Sequence, residues 1–204
     1  MNKELEKLIN QINQNKNYNI NIDDPITGEK ILFSVTNKKT ITRALNLFKK
    51  EPITIEWIRS FEKNSVFFDI GANIGQFTIF AAIVSKSRIF AFEPESNNFQ
   101  GLMQNIYLNK LFNKVTAYPI GISDVTALTK LYLNSFSKAD SHHSVNYKTD
   151  SDLKKKEFEL FQGIFSSSLD DLLEKWKLPL PNYIKIDVDG IENKIIKRAG
   201  KILA

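Results

Sequence analysis

The sequence predicts an α/β protein built on a mostly parallel, doubly wound sheet, and three observations carry that prediction. Short apolar runs occur at Ser65–Ile70, Arg88–Glu93, Val115–Ile120 and Tyr183–Asp187. They are apolar at most positions, as expected of strands covered on both faces. The first, second and fourth are each followed by apolar residues at helical spacing. Strands alternating with helices give a parallel sheet joined by right-handed crossovers.

Taken in order, residues 1–63 read as an N-terminal helical cap and 64–204 as the main domain. Leu5, Leu8, Ile9 and Ile12 fall at helical spacing, as do Ile41, Ala44, Leu45 and Phe48. A short extended piece covers Lys30–Val35. Pro52 interrupts the helical pattern, and Ile55, Ile58 and Phe61 resume it. After the first strand of the main domain, Ile74, Phe77, Ala81 and Val84 mark a helix; after the second, Phe99, Leu102 and Ile106 mark another. Pro119 cannot donate to a ladder, which puts the third strand at a sheet edge. Leu128–Leu133 reads as extended, followed by a polar loop through Asp150. Ser168 is placed to cap a helix marked by Leu169, Leu172, Leu173 and Trp176. Ile191, Ile195, Ala199 and Ile202 mark the last helix.

Composition narrows the function classes. A chain of 204 residues with 42% hydrophobic residues can bury one substantial core. It has no cysteine, which excludes disulfides, thiolate zinc sites and cysteine nucleophiles, and fits a cytoplasmic location. The charged start, Met1-Asn-Lys-Glu-Leu-Glu-Lys, lacks the apolar core of a secretory signal, and no apolar run is long enough to span a membrane. The net charge of +5 comes from lysines scattered among acids, unlike the clustered footprint of a nucleic-acid binder. The densest run, Lys154–Lys156, meets Glu157 and Glu159 at once and reads as a solvated helix face. Neither a nucleic-acid nor a membrane partner is therefore expected.

The chemistry centres on Asp69-Ile70-Gly71-Ala72-Asn73-Ile74-Gly75, between the first strand and its helix. Glycine lets the backbone approach a ligand and turn tightly, and Asn73 is the next best residue for a left-handed conformation. The helix start beyond offers free N–H groups to an anionic ligand group. Glu93, ending the second strand, can accept from both hydroxyls of a ribose. Pro94 and Glu95 close that turn. An acid before the first glycine would repel a diphosphate, and the spacing is G-x-N-x-G rather than G-x-G-x-x-G. Both features favour S-adenosylmethionine, its carboxylate at the helix start and its ammonium near Asp69. An NAD-dependent oxidoreductase is the alternative enzyme, and a cofactor- or partner-binding fragment without turnover the alternative non-enzyme.

The stretches V-F-F-D-I-G-A-N-I-G-Q-F-T-I-F-A-A, F-A-F-E-P-E-S-N-N-F, I-Y-L-N and I-K-I-D-V-D-G-I-E, with K-E-P-I-T-I-E-W-I upstream, resemble the FkbM methyltransferase family. The resemblance runs from about Lys30 to the last residue, with the motifs in order. It implies O-methylation of a hydroxyl on a sugar, glycan or other small molecule. It also implies cofactor contacts at Asp69, Gly71, Ala72, Asn73, Gly75, Glu93 and Pro94, and places Ser123 and Asp124 beside the adenine. Members of the family continue with further strands beyond the helix that ends this sequence, so the sheet is expected to lack its last strands and leave the fourth with a bare edge.

Methyl transfer to oxygen needs a positioned hydroxyl and a base for its proton. Asp187, Asp189 and Glu192 fall at the carboxyl end of the fourth strand, beside the cofactor. They are the expected catalytic or substrate-binding acids, although acids also favour a helix start for its dipole alone. His142 and His143, in the polar loop, are candidate substrate contacts or bases, with His142 placed in the catalytic set. No metal ligands are assigned.

Overall fold

A computed structural model describes residues 6–10, 18–141, 143–145 and 158–203. Residues 6–10 are helical. Strands β1 (Tyr18–Asp23) and β2 (Lys30–Val35) pair as an antiparallel hairpin with Tyr18 opposite Val35. Three short helices follow: α1 (Lys38–Leu45), α2 (Leu47–Lys50) and α3 (Pro52–Arg59). The segment expected to be helical thus also holds a hairpin, and Lys30–Val35 is only one of its strands. The signal was present: Tyr18, Ile20 and Ile22 alternate with Asn19, Asn21 and Asp23, the two-residue period of a half-buried strand. Asn37 and Thr40 form a reciprocal capping box at α1. Pro52 opens α3, where its missing N–H is harmless.

The main sheet has four parallel strands in the order β10–β3–β4–β5. These are β3 (Val66–Ile70), β4 (Arg88–Phe92), β5 (Val115–Tyr118) and β10 (Tyr183–Ile186). The third strand is at an edge, as Pro119 requires, and β10 is the other edge among the described residues. Side-chain alternation divides the core in two. Phe67, Ile89 and Ala91 face a cluster built with α4 (Gln76–Val84), α5 (Ser96–Leu108) and the N-terminal segment, including Phe33, Ile41 and Ile58. Phe68, Ile70, Phe90 and Phe92 face a second cluster that takes in α6 (Leu169–Glu174) and Ile195 of α7 (Glu192–Lys197).

That second face is also covered by a small mixed sheet, of which the predicted pattern held only the extended Leu128–Leu133. Its order is β6–β9–β7–β8, with β6 (Gly121–Ile122), β7 (Ala127–Leu133), β8 (Ser144–Val145) and β9 (Leu160–Ser167). The polar loop predicted through Asp150 contains β8, which pairs with β7, and the run Lys154–Lys156 lies outside the described residues. Ser168 caps α6 as expected, accepting from the Asp171 N–H. Trp176 falls beyond that helix and is half-exposed.

A ring contact ties the N-terminal segment to the sheet, and an ion pair braces the segment itself. Phe61 stacks on Tyr183 of β10 with ring centroids 3.9 Å apart. Buried Asp24 receives both guanidinium arms of Arg59, one of them at 2.9 Å.

Candidate active site

The carboxyl ends of β3, β4 and β10 open into one cleft, at the point where the chain turns from one side of β3 to the other. The β3–α4 turn forms its floor. Gly71 has φ +78°, and a Cβ there would lie 2.0 Å from the Asp187 carbonyl oxygen. Glycine is what allows β10 to come this close. The Gly71 and Ala72 amides both donate to the Phe92 carbonyl at 3.0 Å, locking the turn to β4. Asn73 is left-handed at φ +53°. Gly75, at φ +84°, is the N-cap of α4 and has no side chain to satisfy the first-turn amides, leaving that end available to an anion.

Glu93, at the end of β4, is buried and lines the cleft. Its two oxygens accept from the Asn73 amide at 2.7 Å and the Glu95 amide at 2.9 Å. Burial pushes its carboxyl up to about 7, against the pull of those amides. Pro94 lines the same wall, and Glu95 turns inward to cap α5 through the Asn97 and Asn98 amides. Ile122, Leu131 and Val145 bring an apolar wall from the small sheet.

Asp187 and Asp189 face the cleft across from Glu93. The Lys185 ammonium holds the Asp187 carboxylate at 2.8 Å. Partial burial raises the Asp187 carboxyl, but the Lys185 cation outweighs it and leaves the group below its usual range. Glu192 does not line the cleft: its carboxylate accepts from the Val188 and Gly190 amides and closes the turn before α7. That is the helix-start role acids favour.

Ala72 and Gly75 flank the turn without lining the cleft, and three further predicted contacts lie elsewhere. Asp69 shares the α4-facing side of β3 with Phe67, because side chains alternate. Its carboxylate is buried and accepts from the Thr78 hydroxyl at 2.5 Å, near Lys185, and burial raises its pKa. It therefore braces the turn from below instead of lining the cleft. The Ser123 hydroxyl is tied to Ser166 at 2.6 Å inside the small sheet. Asp124 lines a separate hollow with Arg198. His142 lies outside the described residues.

Of the two candidate histidines, His143 lines the cleft, from the β7–β8 connection. Arg43 and Lys50, from α1 and α2, and Asp140 line it as well and were not predicted. Residues Lys138–Asp140 act as a strap over the turn. The Asp140 carbonyl accepts from the Asn73 amide group at 2.7 Å and from Asn98 at 3.2 Å. Asn37 and Arg43 donate to the Lys138 and Ala139 carbonyls, and Lys39 pairs with the Asp140 carboxylate at 2.5 Å. Burial raises that carboxyl, but Lys39 and Ser135 bring it down to about 2. These residues come from three distant stretches, and no local pattern marks them as neighbours. Among the described residues, no group of three or more His, Asp or Glu side chains is placed to hold a metal. No described helix is long and apolar enough to cross a membrane.

Comparison with known proteins matches residues 69–204 to the methyltransferase FkbM domain. The hexuronic acid methyltransferase AglP of Haloferax volcanii is 24% identical over 172 residues, covering 84% of this chain and 65% of that protein. A tRNA(Phe) (4-demethylwyosine(37)-C(7)) aminocarboxypropyltransferase of Pyrococcus horikoshii is 28% identical over 89 residues, covering 44% of this chain and 27% of that protein. The chain thus spans less than two thirds of the length of either relative. Among solved structures, TYW2 of M. jannaschii in complex with AdoMet is 27% identical, covers 48% of this chain and 42% of its own, and overlays with a TM-score of 0.35.

Proposed function

Because the chain belongs to the FkbM methyltransferase family, we propose that it transfers the methyl group of S-adenosylmethionine to a hydroxyl of a sugar, glycan or other small molecule. The observation that carries this reading is one cleft bringing together the Gly71–Gly75 turn, Glu93 and Asp187. The relation to a hexuronic acid methyltransferase favours a sugar acceptor. In this reading residues 64–204 carry the chemistry, and residues 1–63 are a cap segment that supplies Arg43 and Lys50 to the cleft.

The residues present fit such a cofactor. The start of α4, whose N-cap Gly75 brings no side-chain hydrogen bond of its own, suits a carboxylate. Each Glu93 oxygen accepts one amide and keeps a further lone pair, so the carboxylate can still take both hydroxyls of a ribose. Pro94, Ile122, Leu131 and Val145 offer apolar contact to a flat base. When bound, S-adenosylmethionine supplies an electrophilic methyl on a sulfonium. Asp187 would orient the acceptor hydroxyl and take up its proton as the methyl passes from sulfur to that oxygen, leaving S-adenosylhomocysteine. Lys185 fixes that carboxylate in one position, and Asp189 shapes the neighbouring wall.

Calorimetric titration of the folded chain with S-adenosylhomocysteine and with NAD tests the cofactor. Binding of the first alone is expected; absence of binding by the first would overturn the reading. A sugar-acid and neutral-sugar acceptor panel, followed by S-adenosylhomocysteine release, tests the chemistry. Asp187→Asn should keep cofactor binding and lower turnover by about 100-fold, the lower range for losing a general base.

A further inference from the structure

We propose that His143 recognises the purine base of the bound adenosyl group, donating an Nε2–H hydrogen bond to an adenine ring nitrogen. The proposal rests on the cofactor reading above. It starts from the two residues expected beside the adenine, Ser123 and Asp124, neither of which lines the cleft: the Ser123 hydroxyl is bound to Ser166, and Asp124 borders a separate hollow with Arg198. Recognition of the base edge therefore falls to another residue.

His143 stands immediately before β8, whose Val145 pairs with Leu131 of β7. Both of those side chains and Ile122 line the cleft beside Phe92, Glu93 and Pro94, and His143 lines it with them. A flat apolar wall next to a ribose-binding acid suits a purine. The imidazole is held in one orientation, because its Nδ1 accepts the Asn134 backbone N–H at 3.2 Å. A neutral imidazole whose Nδ1 is an acceptor carries its proton on Nε2. Burial holds the ring pKa below its ordinary value and favours this neutral form, against the opposing pull of Glu95, Asp140 and Asp189.

The Nε2 atom is buried and has no hydrogen-bond partner among the described residues. A buried donor without a partner is rare in native proteins and calls for an explanation. The ring nitrogens of adenine are acceptors and supply one. The same tautomer removes His143 from the list of bases, since its Nε2 already carries a proton and its Nδ1 is engaged by Asn134. The strap just before it is anchored to the turn through Asn73 and Asn98.

The test uses the full chain and S-adenosylhomocysteine. His143→Phe fills the same space without the donor and should weaken binding about tenfold, the effect of one neutral hydrogen bond. His143→Gln restores an N–H and should stay within about threefold of the parent. Binding by His143→Phe within twofold of the parent, or an equal loss in both variants, would overturn the proposal. Should either variant fail to fold, nitrogen-15 spectra of the parent decide, with His142→Asn assigning the resonances. An Nε2-protonated ring whose Nε2 signal moves on addition of S-adenosylhomocysteine is expected. An Nδ1-protonated ring, or an unmoved signal at saturation, refutes it. If the parent itself does not bind S-adenosylhomocysteine, the cofactor reading fails and this proposal fails with it.

Discussion

Replacing Gly71 with alanine puts the close approach of β3 and β10 to a quantitative test. Two penalties combine. A left-handed conformation costs a residue with a Cβ roughly 1–2 kcal/mol. The added carbon would also lie 2.0 Å from the Asp187 carbonyl oxygen, and 2.9 Å from its carbon, so backbone and not a side-chain tip has to move. Overpacking of this kind costs typically about 1–3 kcal/mol. Together they predict a loss of about 2–5 kcal/mol, a large share of the roughly 5–15 kcal/mol that holds a domain together. Gly75→Ala is the control. Its φ of +84° carries the same backbone penalty, but its Cβ would meet only the Leu102 Cδ1 at 2.5 Å, the end of a flexible side chain. That variant should lose about 1–2 kcal/mol, mainly the backbone penalty. Urea unfolding gives both values, and calorimetry with S-adenosylhomocysteine should show the larger binding defect for Gly71→Ala, because Asp187 is displaced. Equal losses in the two variants would refute the steric account.

The remaining predictions concern charge. Glu93 titrates at about 7 in the folded protein against 4.5 ordinarily, so between those values the unfolded chain releases a proton that the folded one keeps. Stability should therefore fall as pH rises from 4.5 to 7, by about 3 kcal/mol, and Glu93→Gln should flatten that slope in urea titrations; an unchanged slope would remove Glu93 as its source. Asp24, brought down to about 2 as Arg59, Thr27 and Ile26 outweigh its burial, acts oppositely: its contribution is complete above 3.8 and lost as pH falls through 2. Asp24→Ala leaves Arg59 buried without its carboxylate and should cost about 3 kcal/mol in thermal or urea unfolding, with a loss under about 1 kcal/mol counting against the pair.

The β3–α4 turn and the acid ending β4 were legible because their signals are local. Gly71, Asn73 and Gly75 follow a mostly apolar strand directly, and Glu93 ends the next one, so spacing alone places them at neighbouring strand ends. The parallel sheet, the edge position of the strand before Pro119 and the Ser168 cap were readable for the same reason. The small sheet was not. β9 (L-F-Q-G-I-F-S-S) is interrupted by Gln162, Gly163 and two serines, and its pairing with β7 joins residues far apart in the chain. Such pairing is decided by what each strand can bury and not by its own pattern. Likewise the sequence put Asp69, Ser123 and Asp124 beside the ligand, whereas side-chain alternation and the Ser166 contact turn them away.

By itself, then, the sequence determined the α/β class, the glycine turn and the acids at the strand ends, because these depend on residues within one element or one connection. Only the tertiary structure decided which side chains share the cleft. Arg43, Asp140 and His143 meet Glu93 and Asp187 there through packing, with a strap held by Asn37, Asn73 and Asn98. Hydrogen bonds between distant segments form only once the core has set their separation, so no window of sequence contains them.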